Sequence, residues 1–458
     1  MGMSRYTAAA VSGVVLTAGL SAAPSSGAAP HPPGSTTSRG SSQTSAQAQT
    51  TALTEATAST PPSVARASSP RRIALTRWGP RTFKKGTYEH TRSRGGLVLG
   101  RNLDRVGYRD PYGSGSRVAY DRGRWYSPWV RERFALTQLI ASYAADTPVG
   151  TFIEISARGR SGPGTRSSWD SLGRWASHDR KFHRMSLGDQ PDDLSRVAVD
   201  TLITHDGSSF GAWQLRLTLM RRSGTTKTPT ISRAGAMVSR LPEKAGRTSR
   251  VPSGRGRDLG VPRYSQEIHR GEYPQWDGGG EAWCSPTSTS MLLSYWNRGP
   301  TRKQYAWVND SYRQPWVDYA ARFTFAWGYD GTGDWPFNTA YAARFGLDAF
   351  VTRLRSLRQA HLFIKAGVPL VASIGFDPGE LDGAPISSTS GHLLVIRGFT
   401  RAGKVIVNDP AAPTARTVRR IYSRAQFERA WLGSTGGVVY VIHPADHALP
   451  KGGPGRAW

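Results

Sequence analysis

The sequence predicts an α+β protein: an all-β first half, read as a β-sandwich or jelly-roll-like domain, and a second half that mixes helices with strands. Three observations carry this reading. From Arg72 to Arg222, short stretches alternate apolar and polar residues with period two, and turn signals close each one. Gly and Pro are abundant, at 51 and 30 residues, which favours many turns over long helices. Beyond Val261, a helical run is followed by apolar strands.

The strands of the first half are read in order. Thr151-Phe152-Ile153-Glu154-Ile155-Ser156 alternates, as does Trp213-Gln214-Leu215-Arg216-Leu217-Thr218-Leu219, and Arg196 to Ile203 reads as one further strand. Asp110-Pro111, Ser161-Gly162-Pro163-Gly164 and Asp206-Gly207 break the chain between them. Trp125, Tyr126, Trp129, Trp169 and Trp175 are expected chiefly as core, with stacking on sugar rings as the alternative.

With 458 residues the chain has room for two or three domains. Residues 1–28 read as an export signal: Arg5 supplies positive charge, Tyr6 to Ala23 is apolar and small, and Ser26-Gly27-Ala28 offers a cleavage site. The mature protein is therefore expected outside the cell, not in a membrane, and as a monomer. Residues 29–71, rich in Ser, Thr, Ala and Pro, cannot bury enough apolar surface to fold and read as a tether. The first domain is then 72–240, a linker 241–260, the second domain 261–444 and a loose tail 445–458.

The net charge of +28, mostly from Arg, favours polyanionic partners, and for an exported protein an anionic cell-wall polymer is the expected one. The Arg residues are scattered and no finger, zipper or RNA-binding motif is present, so specific nucleic-acid recognition is not expected.

The chain has a single cysteine, Cys284, which can form no internal disulfide. Gly278-Gly279-Gly280 precedes it, and Ser285-Pro286-Thr287 follows with a cap residue and a proline that start a helix. Met291, Leu292, Tyr295 and Trp296 keep helical spacing, and Asn297-Arg298-Gly299-Pro300 ends the run. A sulfur at a helix N-terminus gains support for negative charge from the free N–H groups there. These features make Cys284 a candidate nucleophile.

Of ten histidines, His392 stands out because it opens the apolar strand Leu393-Leu394-Val395-Ile396. A second strand, Val405-Ile406-Val407-Asn408-Asp409, follows after Thr400-Arg401-Ala402-Gly403. With an even loop, Phe399 faces Lys404, Leu394 faces Asp409, and His392 and Asp409 share a face as diagonal neighbours; an odd loop would part them. A carboxylate there would orient the imidazole and support its charged form. No metal or organic cofactor is expected, since the chain has no His-Glu-x-x-His, no Cys pair and no phosphate-binding glycine loop.

The order Gln266, then Cys284-x-Pro286-Thr287, then Gly391-His392, then Asn408-Asp409-Pro410 resembles cysteine peptidase family thirty-nine, the double-glycine leader peptidases of bacteriocin exporters, and more closely their stand-alone relatives. The resemblance covers about Val261 to Ile442. It implies a papain-like fold, a peptide or protein substrate, Cys284 as nucleophile, His392 as general base, Asp409 as orienting acid and Gln266 as oxyanion donor. The chain departs from the family in having Trp283 and Ser285 where Gly is usual and a longer gap between Gln266 and Cys284; it also lacks the exporter's membrane and nucleotide-binding regions. Three functions follow as expectations: a secreted cysteine peptidase, a peptidoglycan amidase or endopeptidase, or a wall- or sugar-binding protein with an inactive peptidase-like domain.

Overall fold

The alternating stretches of the first half do form strands, and the central ones are largely buried on both faces. Phe210–Arg222 lies between Thr151–Arg160 and Arg117–Tyr126 in an eight-stranded sheet. Gln138–Asp146 and Thr230–Arg240 are central in a seven-stranded one. Trp78 from the second sheet meets Trp125 and Trp213 from the first, edge to face, at 5.6 and 5.7 Å. The computed structural model describes residues 70–458 apart from 192, 244–245, 251–255 and 453–456. The expected export signal and nearly all of the tether lie outside the described residues.

Among the described residues the α-helices are few and fall in the second half: α1 (Cys284–Tyr295), α2 (Pro315–Thr324), α3 (Trp335–Ala343), α4 (Leu357–Lys365) and α5 (Arg424–Ser434). They accompany a third, antiparallel sheet. Its order is Leu347–Arg353, Val438–Pro444, Leu370–Phe376, Thr389–Phe399, Val405–Asn408 and Arg419–Tyr422. The chain is thus mostly β-sheet. Among the described residues no helix is long and apolar enough to cross a membrane.

One hydrophobic cluster runs without a break through all three sheets, and polar side chains stitch the halves together. The Ser142 hydroxyl accepts from the Val351 N–H (2.8 Å), and Asp200 accepts from the Trp335 N–H (2.9 Å). The fully buried Arg184 guanidinium donates to the Arg322 carbonyl at 2.9 Å. Such groups are costly to bury unpaired, so the two halves are held as one packed body rather than as beads on a linker.

Four local expectations are corrected. Arg196–Ile203 is not one strand but a hairpin of Ser195–Ala198 and Thr201–Thr204, turned at Val199 with φ 56°. The 241–260 stretch is not a free linker: Arg257–Asp258 pairs with Phe399 and Gly398, and Ser249 donates its N–H to the buried Glu428. The C-terminus is not loose: Ala457 is buried and Trp458 packs on Phe363 at 4.8 Å. Ser285 is not the helix cap. Trp283 holds that position, and the Ser285 hydroxyl is buried against the Tyr440 hydroxyl at 2.9 Å.

Candidate active site

Cys284 is the first residue of α1 and is half-buried. Its loop is shaped by Gly278 and Gly279, at φ 74° and 110°, where a side chain would be strained. Trp283, at the position where the resemblance leads one to expect glycine, is fully buried, and its indole N–H donates to the Trp276 carbonyl at 2.7 Å. This tryptophan anchors the loop and sets where the helix begins. At the other end Asn297 and Gly299 turn with φ 52° and 139°, stopping the helix where the sequence pattern says it should.

His392 sits in the Thr389–Phe399 strand, 3 % exposed. The Ser288 hydroxyl, one turn into α1, donates to the Leu393 carbonyl at 3.1 Å and pins the cysteine helix to the histidine strand. Nε2 of His392 lies 2.7 Å from Oδ1 of Asp409, itself 1 % exposed. Asp409 also accepts the Ala411 N–H on Oδ1 (3.2 Å) and the Tyr422 hydroxyl on Oδ2 (2.7 Å). Sequence reasoning missed Tyr422. Its place on a neighbouring strand, Arg419–Tyr422, leaves no local mark.

The diagonal placement of His392 and Asp409 arises differently from the expected route. The connection is odd: Phe399 pairs with Val405, not Lys404. A β-bulge at Arg397 then shifts the register by one, so Ile396 pairs with Val407 and Val395 with Asn408. Beyond the bulge the register is the one an even loop would have given. Arg397 is held in place by Asp258 (2.6 Å), the Val261 carbonyl (3.1 Å) and Asn408 Oδ1 (3.0 Å).

The electrostatics follow from these contacts. Burial opposes a charge on His392, but the adjacent Asp409 carboxylate and the Cys284 side chain outweigh it and lift the imidazole to about 10. Burial pushes Asp409 up, yet the imidazolium, the Tyr422 hydroxyl and the Ala411 N–H together hold it below its ordinary value. Because Nε2 is taken by Asp409, it is Nδ1 that is left for the sulfur.

Gln266 is buried in a short 3-10 turn, Gln266–His269. Its backbone N–H donates to the Pro410 carbonyl at 2.9 Å, next to Asp409. Its side-chain amide donates to the Glu281 carbonyl, three residues before Cys284, and more weakly to Glu267 Oε1 at 3.4 Å. The structure therefore brings Cys284, His392 and Asp409 together, and ties Gln266 to the loop before Cys284 and to the turn after Asp409.

Comparison with known proteins agrees in part. Residues 74–239 match the model of the peptidase C39 N-terminal domain, and residues 258–439 match that of the peptidase C39 like family. A solved structure, a candidate C39-like peptidase from Bacillus anthracis, is 18 % identical over 43 % of this chain and 100 % of its own, with a TM-score of 0.27. No curated protein matches the chain.

Proposed function

Because the chain belongs to the peptidase C39 family, with that family's two-domain architecture, we propose that it is an active cysteine peptidase of papain-like arrangement that cleaves amide bonds. The observation that carries this reading is the buried His392–Asp409 pair at 2.7 Å, joined electrostatically to a half-buried thiol at a helix start. Cys284 Sγ attacks the scissile carbonyl and forms the C–S bond. The resulting oxyanion lies near the Cys284 N–H and the Gln266 amide, which leaves Glu267 to reach it. The imidazolium gives its proton to the leaving amine as the C–N bond breaks. Neutral His392 then takes a proton from water, whose oxygen displaces the sulfur and releases the acid. Asp409 keeps the ring oriented and supports its charge in each step.

Alkylation of Cys284 tests the reading directly. At about pH 6, where a free thiol is almost wholly protonated, iodoacetamide is expected to label the protein more than ~10-fold faster than a model thiol. His392→Ala should remove that advantage. Equal rates for the protein and the model thiol would sink the proposal.

Export and wall association complete the proposal, with peptidoglycan stem peptides as the alternative amide substrate. The first domain, proposed as a β-sandwich, offers an arginine-rich face whose arginines outnumber the carboxylates Asp104, Glu89 and Glu154 that pair with them. Arg174, Glu154, Thr218 and Arg124 form one row across its eight-stranded sheet. Arg122 and Arg216 lie in the rows beside it, and the side chains enclose a cavity of about 100 Å³. Binding to teichoic-acid-type polymers should fall steeply once salt shortens the screening length below about 8 Å, and Cys284→Ser should bind like the parent. Binding unaffected by salt would argue for stacking on sugar rings instead.

A further inference from the structure

The stretch between Gln266 and Cys284 folds over a second polar cluster that the proposed chemistry does not use. His269, Glu272 and Asp318 are 0, 8 and 0 % exposed. One donor atom from each lies within 4.8 Å of the others. Nδ1 of His269 is 2.6 Å from Oε2 of Glu272 and 3.4 Å from Oδ2 of Asp318. Trp276, Trp283, Val317 and Phe325 form an apolar cluster in the same region.

The arrangement is unbalanced as a purely organic network. Among the described residues neither oxygen of Asp318 accepts a hydrogen bond, and Nε2 of His269 has no partner. His269 Nδ1, 3.4 Å from Asp318, is already committed to Glu272. Among the described residues the only ion-pair partner of either carboxylate is His269. Arg322, one turn further along α2, is taken by Asp179 at 2.6 Å. Two carboxylates and one imidazole buried without another cation carry excess negative charge, which is costly in an apolar surround. A divalent cation with neutral imidazole would bring the sum to zero.

We propose that His269, Glu272 and Asp318 bind a divalent metal ion of the zinc class, which fastens the loop before Cys284 to α2. A mixed imidazole–carboxylate set suits zinc or manganese, whereas calcium would call for more oxygen donors. Tetrahedral bonds of about 2.0–2.1 Å set ligand atoms about 3.3 Å apart. The separation between His269 Nδ1 and Asp318 Oδ2 already has this value, while Glu272 must swing outward to open its 2.6 Å contact. The fastening reaches the proposed active site because the parts touch. A Cβ on Gly280 would lie 2.3 Å from the His269 carbonyl, and the ring of Trp283, the residue before Cys284, lies 5.9 Å from that of His269. Only this last consequence rests on the peptidase reading; the metal site stands or falls without it.

Untagged full-length protein, purified without chelator, is expected to carry about one equivalent of metal by plasma mass spectrometry. Dialysis against EDTA should lower Tm by several degrees, and added Zn²⁺ or Mn²⁺ should restore it. Asp318→Asn and Glu272→Gln should each lose most of the metal. If these variants fail to fold, the metal content and chelation response of the parent protein decide the matter. Less than about a tenth of an equivalent, with no rise in Tm on adding either ion, would overturn the proposal and leave a shared proton in the cluster. Full metal content in both variants would overturn the ligand assignment. Cys284 labelling, scored separately, reports on the peptidase reading and not on the metal.

Discussion

Replacing Cys284 with Ser is expected to cut amide hydrolysis by on the order of 10³-fold or more while leaving Tm close to that of the parent. The sulfur is half-buried at the start of α1, and serine fits the same space, so packing is not at stake. What is lost is the sulfur, and a serine hydroxyl in its place is a far weaker nucleophile toward a carbonyl. His392→Ala should cost about as much, and the double variant little more, because residues acting as one unit are not additive. Asp409→Asn is expected to be intermediate in activity. The asparagine oxygen can still accept from Nε2, but its NH₂ then meets the Tyr422 hydroxyl, which must turn away. Peptide hydrolysis retained in purified Cys284→Ser would rule the cysteine mechanism out.

The second large effect is on stability against pH. The His392 imidazole is lifted from 6.5 to about 10 in the folded protein, so the folded state holds a proton that the unfolded state releases. Its contribution is complete below pH 6.5 and is lost as pH rises through about 10. The slope cannot exceed about 1.4 kcal/mol per pH unit, and the total is of order a few kcal/mol. Asp409 has the opposite sign: held below its ordinary value, it contributes above the usual carboxylate range and that contribution fades as acid titrates it. Urea unfolding of the parent protein and of His392→Gln, compared at about pH 6 and about pH 10, should show the gap between them shrinking with pH. A gap that stays constant would mean that the imidazole is neutral in the folded state.

Much of the site was legible because it is built from local signals. Glycines before Cys284, a proline just inside the helix and Asn297 with Gly299 after it all act within a few residues, through backbone sterics and orphan N–H groups. The apolar strand opened by His392 and the Asn408-Asp409-Pro410 turn are local in the same sense. Their pairing was less secure. An odd connection and a bulge at Arg397 each shift the register by one and cancel, and neither shift is visible in the alternation of the strands. Arg397 makes the bulge through Asp258, Val261 and Asn408, contacts that span up to 139 residues of chain.

By itself, then, the sequence determined the kinds of element, the lone thiol at a helix start, and the order of thiol, imidazole and carboxylate. Those features depend on a residue and its near neighbours, where propensity, capping and hydrophobic period act. Tertiary structure alone decided the rest. It set Tyr422 on Asp409, buried Trp283 behind the cysteine, brought Asp318 from α2 to His269, and closed Arg184 and Asp200 into the contact between the two halves. In each case a polar or aromatic group finds its partner through packing of segments far apart in the chain. The free energy that selects such a partner comes from satisfying a buried group, and a one-dimensional pattern shows the group but not what will satisfy it.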